Sequence, residues 1–225
     1  MTPGPFDSPL EALPVEIPIF PLDGVLLLPG GRLPLNVFEP RYLAMTLDSL
    51  ANGRMIGMVQ PMASPLDSPG SANAVTGIYD IGCAGRICSF SETGDGRLLI
   101  TLAGVCRFRL IRELDGVKEY RRVAVDYSGF RGDLDPPTGS LVDRVRLLAS
   151  LGSYLTLHNI AINWKALDNF SDAALVTTAS MLCPFVTREK QALLEAMTYE
   201  ERGILLIALI EMGILELAGG SPRRQ

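Results

Sequence analysis

The sequence predicts an α+β protein in which a small β-barrel precedes a helical bundle. Short apolar runs broken by glycine, proline and Asp-Gly turns come first, apolar residues with helical spacing follow, and Pro136-Pro137 lies between the two regions. The predicted segments are a flexible tail (1–14), the barrel (15–130), a linker (131–139), a helical subdomain (140–218) and a second flexible tail (219–225).

The first predicted strands are short and interrupted by proline. Apolar runs indicate strands at Glu16–Phe20, Val25–Leu28 and Leu33–Phe38. Proline has no backbone N–H to donate to a neighbouring strand. Pro21 and Pro34 therefore favour strand ends, bulges or an edge strand over a central position.

A helix is predicted after these strands, beginning at Pro40. Proline suits the first turn of a helix, and Leu43, Leu47 and Leu50 recur on one face, which we expect to be buried. Asn52-Gly53 ends this helix.

The remaining strands are joined by a loop and by turns. A surface loop rich in Ser, Pro, Ala and Gly is expected over residues 61–77. Asp95-Gly96 and Asp115-Gly116 indicate hairpins with type I′ turns, and Gly104 predicts a bend or bulge in a run that is long for one strand. The predicted strands are Arg54–Gln60, Tyr79–Ser91, Arg97–Leu114 and Lys118–Tyr127.

Capping signals place the helices of the second half. Ser171 opens one helix, and Thr187 is expected to cap another with Glu189 in its first turn. Thr198 with Glu201 three residues later predicts a capping box for a last helix over residues 199–217. The apolar positions that mark the first two helices are Leu141, Val145, Leu148 and Leu155, then Leu175, Ala179 and Leu182.

The net charge of the chain disfavours nucleic acid as a partner. The 225 residues carry a formal charge of −5 and a pI near 5.0, whereas nucleic-acid binders concentrate basic side chains on one face. Acidic residues such as Glu113 and Glu119 interleave with the one basic hairpin, so a salt-bridged sheet face is favoured over an RNA-contacting stripe. The basic residues of this hairpin are Arg107, Arg109, Arg112, Lys118, Arg121 and Arg122.

Cysteine use and the amino terminus favour the cytoplasm. The chain has four cysteines and no apolar signal sequence after Met1, as expected in a reducing compartment. The apolar stretch over residues 203–218 contains Glu211 and Glu216 and is shorter than the roughly 20 residues that cross a bilayer. We therefore interpret it as a core helix and expect no membrane association.

No constellation of catalytic or metal-binding residues is recognisable. Cys83 and Cys88 have the spacing of half a metal site, but the other half is missing, and buried structural cysteines are favoured. Cys183 and His158 are better explained by packing than as a nucleophile and base. The sequence has no Gly-x4-Gly-Lys-Ser/Thr loop and no context for a Ser–Lys dyad. We therefore predict no catalytic residues, no metal and no cofactor.

Several segments resemble the N-terminal domain of Lon proteases, at the spacing of that family. They are Pro18-Ile19-Phe20-Pro21-Leu22, Leu27-Leu28-Pro29-Gly30, Leu33-Pro34-Leu35, Phe38-Glu39-Pro40-Arg41-Tyr42, Gly57-Met58-Val59-Gln60-Pro61, Gly82-Cys83-Ala84-Gly85-Arg86-Ile87 and Asp95-Gly96-Arg97. The resemblance implies a PUA-like β-barrel joined to a helical subdomain. In full Lon proteases an AAA+ ATPase and a Ser–Lys protease follow, and neither is recognisable here. The resemblance therefore implies a stand-alone bacterial module that recognises polypeptides and has no ATPase or peptidase activity.

The resemblance and the apolar residues together indicate a set of candidate binding residues. Glu39 and Arg41 are interpreted as an ion pair and cap at the helix start, or alternatively as the rim of a peptide site. Methionine offers adaptable apolar surface. The candidates are Phe38, Glu39, Arg41, Tyr42, Met58 and Met62. The expected partners are unfolded or extended polypeptides or a protein partner. RNA binding, by analogy with other PUA-like proteins, is the alternative.

Overall fold

The structure is a computed structural model that describes residues 9–62, 77–115, 119–135, 142–161, 163–167 and 169–218. The chain divides into two compact units, Met1–Pro136 and Pro137–Gln225. The first unit contains the sheet and one α-helix, and the second contains the other described α-helices. The α+β class predicted from the sequence is therefore confirmed.

A six-stranded mixed sheet forms the first unit. Its elements are β1 (Glu16–Pro21), β2 (Arg32–Val37), α1 (Pro40–Ala51), β3 (Met55–Val59), β4 (Ile81–Glu92), β5 (Leu98–Glu113) and β6 (Arg122–Asp126). The strand order is β2-β5-β4-β3-β1-β6, and β5 also pairs with β6. The pair of β1 and β3 is parallel, and the other strand pairs are antiparallel. β2, which contains Pro34, lies at the edge as predicted.

The prediction of a strand at Val25–Leu28 is wrong. These residues form no strand, although Leu26, Leu27 and Leu28 are buried. Their side chains enter the core of the first unit, where a Cβ added at Gly85 would lie 2.6 Å from Leu27 Cδ2. Burial without strand pairing produces the same apolar run as a buried strand, so the pattern alone does not separate the two.

Helix α1 buries a different face from the one predicted. Tyr42, Met45, Thr46 and Ser49 are buried, whereas Leu47 is exposed. The hydroxyls of Thr46 and Ser49 each donate to the carbonyl four residues earlier, at 2.8 Å. Because these hydroxyls are satisfied within the helix, burying them costs little. The spacing of the leucines therefore predicted the wrong face of α1 to be buried.

Gly104 marks a bulge in β5, as predicted. The register between β4 and β5 shifts here and leaves Val105 as the extra residue. The N–H of Gly104 donates to the carbonyl of Gly31 at 2.9 Å. A Cβ at position 104 would lie 2.0 Å from the carbonyl oxygen of Leu28, so the close approach of these two backbones requires glycine.

The β4–β5 hairpin is present, but its turn is not the predicted type. Gly96 has a φ of +80°, whereas Asp95 is not among the residues with positive φ. A type I′ turn needs positive φ at both central residues, so that prediction is wrong. The N–H of Thr93 donates to the carbonyl of Arg97 at 3.0 Å, and the hydroxyl of Thr93 accepts from the N–H of Arg97 at 3.1 Å. The turn predicted at Asp115-Gly116 lies partly outside the described residues.

The residues after β6 pack against the sheet. Ser128–Leu134 forms a 3-10 segment, and Phe130 within it is buried. Asp133 pairs with Arg107 of β5, and both side chains are buried. Asp133 and Leu134 of the predicted linker therefore pack within the first unit, as does Leu13 of the predicted tail, which is buried in the same core.

The second unit is helical. Its helices are α2 (Arg144–Leu157), α3 (Trp164–Leu167), α4 (Asp172–Leu182), α5 (Thr187–Glu195) and α6 (Tyr199–Ala218). Leu147, Leu151 and Tyr154 form the buried face of α2. Val145 of α2 and Leu182 of α4, which were among the apolar positions that marked these helices, are exposed. Leu141 lies outside the described residues. In the described part of the chain, no helix is long and apolar enough to cross a membrane.

Side-chain caps begin α2, α4 and α6, and at α2 the carboxylate of Asp143 accepts from the N–H of Arg146 at 3.0 Å. Ser171 accepts from the N–H of Ala174 at 3.2 Å, and Thr198 accepts from the N–H of Glu201 at 3.1 Å, which confirms both predicted caps. At α5 the prediction is wrong, because Thr187 is the first helical residue. Glu189 accepts there from the N–H of Val186 at 3.0 Å.

Arginines from neighbouring helices satisfy carbonyls at helix ends. The buried Arg202 of α6 donates to the carbonyls of Leu193 and Ala196, at 2.8 and 3.2 Å. Arg144 of α2 donates to the carbonyl of Leu167 at the end of α3, at 2.9 Å. The last carbonyls of a helix have no intrahelical partner, so these contacts fix α5 to α6 and α3 to α2.

Candidate functional site

Two large apolar side chains are exposed on the outer face of β2 and β5, namely Phe38, which directly follows β2, and Leu99 of β5. Val37 pairs with Leu98 in the antiparallel register, so Phe38 and Leu99 lie on the same face as diagonal neighbours, with Cα atoms roughly 7–8 Å apart. The guanidinium carbon of Arg97 lies 5.8 Å from the centre of the Phe38 ring. We call Phe38, Arg97 and Leu99 the β2–β5 face.

The hairpin turn holds Arg97 in place. Its Nε lies 2.9 Å from Oδ2 of Asp95, whose other carboxylate oxygen accepts from the hydroxyl of Thr93. The hydrogen bond from Thr93, with a smaller contribution from the charge of Arg97, lowers the pKa of Asp95. The carboxylate therefore stays ionised at neutral pH, and the β2–β5 face presents an oriented cation beside an aromatic ring.

Glu39 and Arg41 form an exposed ion pair at the start of α1. Arg41 Nε and Nη2 lie 3.0 and 2.9 Å from Oε2 of Glu39, and the guanidinium covers the ring of Tyr42 at 4.5 Å. Glu39 occupies the N-cap position, but its side chain makes no capping hydrogen bond. The expected ion pair is present and the expected cap is not. An exposed pair of this kind contributes at most about 1 kcal/mol to stability.

Tyr42 and Met58 lie in the core rather than on a surface. The ring of Tyr42 stacks on Phe20 with centroids 4.1 Å apart, and Phe20 pairs with Met58 across β1 and β3. All three side chains are buried, and burial raises the pKa of Tyr42. These two candidates therefore join α1 to the sheet and do not contribute to an exposed surface.

Met62 is exposed and lies apart from the β2–β5 face. It follows β3, which β4 separates from β5 in the sheet order. Its N–H donates to the carbonyl of Gly77 at 2.8 Å. Most of the predicted loop, residues 63–76, lies outside the described residues, so Met62 is a separate candidate position.

The basic hairpin carries several ion pairs. Arg121 pairs with Glu113, and Arg122 lies 3.4 Å from Glu16 of β1. Arg107, which the sequence analysis placed on a solvated face, is instead buried. Arg109 lies opposite Asp126 in the β5–β6 register, and Lys118 lies outside the described residues. These pairs match the salt-bridged arrangement favoured from the sequence.

The cysteines and the histidine have structural surroundings. Cys83 is buried as expected, whereas Cys88, which was also expected to be buried, is exposed, because residues five apart in one strand lie on opposite faces. Burial raises the pKa of Cys183 to about 12, and the ring of His158 lies 4.4 Å from that of Tyr154. Within the described chain, no three residues among His, Cys, Asp and Glu are grouped to hold a metal ion.

One exposed apolar surface, on helix α6, was not predicted from the sequence. Ile204, Met212 and Leu215 are exposed, and Ala208 lies exposed between them. We call these four residues the outer face of α6. Their spacing of i, i+4, i+8 and i+11 is visible in the sequence, but the same spacing is typical of a buried helix face.

These features describe an α+β protein whose candidate sites, in the described part of the chain, are exposed apolar faces. Residues 16–212 match the family model of the ATP-dependent protease La (LON) substrate-binding domain. The chain therefore belongs to this family, and the resemblance seen in the sequence is confirmed.

Similar proteins include several Lon proteases. The chain is 28% identical to Lon protease of Flavobacterium johnsoniae over 92% of its own length and 25% of that protein. It is 30% identical to Lon protease 2 of Myxococcus xanthus over 52% of its length and 13% of that protein. The chain thus spans a quarter or less of these relatives.

Two solved structures share the fold. The Lon N-terminal domain protein from Xanthomonas campestris superposes with a TM-score of 0.57 at 24% identity, covering 86% of this chain and 97% of that chain. The N-terminal domain of Mycobacterium avium complex Lon protease gives a TM-score of 0.59 at 16% identity, with 87% and 98% covered.

Proposed function

We propose that this chain is a binding module that recognises extended or unfolded polypeptides through the β2–β5 face. The observation that carries the proposal is the exposure of Phe38 and Leu99 side by side on a pleated surface, next to the oriented guanidinium of Arg97. Aromatic and arginine side chains are frequent anchors of protein interfaces. Membership of a substrate-binding domain family supports a polypeptide as the ligand.

We infer that the strands behind this face close into the barrel expected from the sequence. The pairings β5–β4, β4–β3, β3–β1, β1–β6 and β6–β5 return to the strand from which they start. β2 is then an additional strand beside the first half of β5. A closed sheet provides a framework that binding does not have to order, which reduces the entropic cost of association.

The proposed activity is binding without ATP hydrolysis or peptide-bond cleavage. The family match is to a substrate-binding domain, and the sequence has no Gly-x4-Gly-Lys-Ser/Thr loop. Polypeptide is favoured over nucleic acid because Glu16, Glu113 and Asp133 neutralise arginines of the basic hairpin. The cytoplasm is the proposed location, since all four cysteines are free thiols.

A fluorescence titration with a labelled unfolded protein tests this proposal. We expect a dissociation constant in the micromolar range, or about −8 kcal/mol, that changes little between low and high salt. Phe38→Ser and Leu99→Ser should each weaken binding about fivefold or more, because each removes about 1–2 kcal/mol of apolar contact. Met62→Ser tests whether the separate candidate position contributes.

Ile111→Ser is the matched control. Ile111 lies at the other end of β5 and is 58% exposed, against 60% for Phe38. Equal loss of binding in the control and in Phe38→Ser would reject the β2–β5 face. Absence of binding by the wild type, or equal binding of folded and unfolded ligand, would reject the function itself. A steep loss of affinity with salt, together with competition by RNA, would favour the nucleic-acid alternative.

A further inference from the structure

Strand β2 has one edge that pairs with no other strand in the described part of the chain. It pairs with β5 on one side only, over residues 32–37. The N–H of Gly104 in β5 donates to the carbonyl of Gly31 at 2.9 Å, so the carbonyl just before β2 points toward β5. The backbone groups of successive residues in an antiparallel strand point to alternate edges. Those of every second residue of β2 therefore point away from β5.

Three residues carry these outward backbone groups, namely Arg32, Pro34 and Asn36. We call their outward groups the β2 edge. Arg32 and Asn36 each offer an N–H and a carbonyl, Pro34 offers a carbonyl alone, and none of these groups has a hydrogen-bond partner among the described residues. They repeat about every 7 Å, which is the distance across two residues of an extended chain. A second extended backbone therefore matches the β2 edge, whereas a helix satisfies its backbone groups internally and does not.

Pro34 disfavours a second copy of this chain as the occupant. In a two-fold pair of β2 strands centred on Pro34, the two prolines face each other, so neither of their carbonyls receives a hydrogen bond. A pair shifted to place Pro34 opposite Arg32 or Asn36 also loses two bonds, one in each half. A polypeptide with an N–H at every position loses only the bond that Pro34 itself would donate. The β2 edge therefore favours a different chain over its own copy.

Arg32 adds a preference for negative charge. It is the one charged residue of β2, and it forms no ion pair with any residue that the structure describes. Its Nη1 lies 3.5 Å from Sγ of Cys88, and sulfur is a weak acceptor. A carboxylate on an added strand is a stronger acceptor for this exposed guanidinium. An acidic side chain next to Arg32 therefore complements the charge of the β2 edge.

We propose that the β2 edge binds an extended polypeptide segment as an added strand, with an acidic side chain next to Arg32. The backbone of the segment exchanges hydrogen bonds with Arg32 and Asn36 and donates one to the carbonyl of Pro34. Beyond Asn36 the segment reaches Phe38, so the same ligand also contacts the β2–β5 face. The inference rests on the proposed function and specifies how the backbone of an extended ligand is recognised there.

Two substitutions in β2 test these backbone contacts without removing a bond to β5. The probe is a fluorescein-labelled peptide of about eight residues, alternating valine and threonine with one glutamate, followed by fluorescence anisotropy. Asn36→Pro removes an outward N–H and should weaken binding about threefold or more, because a carbonyl of the peptide loses its donor. Pro34→Thr supplies the missing N–H and should tighten binding about threefold or more. Asn36→Ser retains the N–H and is the matched control, with unchanged affinity.

Changes in the peptide test the same contacts from the other side. N-methylation along its central residues removes donors from both of its edges and keeps every side chain, so its affinity should fall about tenfold or more. Replacing its glutamate by lysine should weaken binding about twofold or more, and Arg32→Met should abolish this difference. Because Pro34→Thr and the modified peptides leave Asn36 intact, they test the proposal even where Asn36→Pro lowers stability.

The outcomes separate this inference from the proposed function. Weaker binding in Phe38→Ser, together with unchanged binding in Asn36→Pro, in Pro34→Thr and of the N-methylated peptide, would overturn the β2 edge and leave the polypeptide site intact. The reverse pattern would support the edge and reject Phe38 as an anchor. Absence of peptide binding by the wild type would overturn both. A dimer in analytical ultracentrifugation that Asn36→Pro dissociates would overturn the inference in favour of a second copy.

Discussion

Arg107 and Asp133 form a buried, two-point ion pair that ties the segment after β6 to the sheet. Arg107 Nε lies 2.9 Å from Oδ2 of Asp133, and Nη2 lies 2.8 Å from Oδ1. The carboxylate also accepts from the backbone N–H of Arg107 at 2.9 Å, and Phe130 covers the guanidinium at 4.8 Å. Both carboxylate oxygens of Asp133 thus accept hydrogen bonds from the same arginine.

Removing one partner of this pair should strongly destabilise the first unit. Asp133→Ala leaves a buried guanidinium without its counter-charge, so we expect the free energy of unfolding to fall by about 3–5 kcal/mol. The double variant Arg107→Met/Asp133→Leu removes both charges, so its free energy of unfolding should fall by less than that of Asp133→Ala. Urea denaturation of the three proteins measures both values. A loss of less than about 1 kcal/mol in Asp133→Ala would show that water replaces the carboxylate.

Gly104→Ala should destabilise the protein by at least about 2 kcal/mol. The new Cβ would lie 2.0 Å from the carbonyl oxygen of Leu28, and a backbone atom cannot move aside as the end of a side chain can. Gly94→Ala is the control, since nothing lies within 4 Å of a Cβ at that position. Equal midpoints of thermal unfolding for the two variants would contradict the close approach of the backbones.

One of the four thiols should react quickly with a thiol reagent in the native protein. Cys88 is exposed, whereas burial raises the pKa of Cys106 and Cys183 to about 12, so their thiolate fraction at pH 8 is negligible. Cys88→Ser should leave no fast-reacting thiol, and in the wild type unfolded in urea all four thiols should react with the reagent. Two or more fast thiols in the folded protein would contradict the burial of the others.

Asp126 should contribute stability that is lost in acid. Its carboxylate accepts from the N–H and the hydroxyl of Ser128, at 2.9 and 2.8 Å, and these bonds lower its pKa, with the backbone bond contributing most. A lowered pKa in the folded state gives stability that is complete above the unfolded pKa of about 3.9 and disappears as pH falls through the folded pKa.

Urea unfolding between pH 7 and pH 2 measures this contribution. The difference in stability between the wild type and Asp126→Asn should be constant above about pH 5 and should shrink below about pH 4. Ser128→Ala removes only the hydroxyl bond and should reduce the pH dependence in part. A difference that stays the same at every pH would mean that the pKa of Asp126 is ordinary.

The candidate site was only partly predictable from the sequence. Phe38 was identified and is exposed, but Tyr42 and Met58 are buried, since their burial depends on Phe20 from a different strand. Leu99 was missed because alternation along β5 does not reveal which of its faces another element covers. The partner strand β2, paired through Val37 and Leu98, decides that Phe38 and Leu99 are neighbours.

The sequence by itself determined the features that depend on nearby residues. The α+β order, the bulge at Gly104 and the caps at Ser171 and Thr198 follow from local backbone requirements and from spacing, so they were predictable. Only the tertiary structure decided which apolar runs pair, which faces are buried and which charges meet. Leu28 is buried without pairing, and Arg107 meets Asp133 across 26 residues. Contacts of this kind depend on where distant segments pack, and local patterns do not record that information.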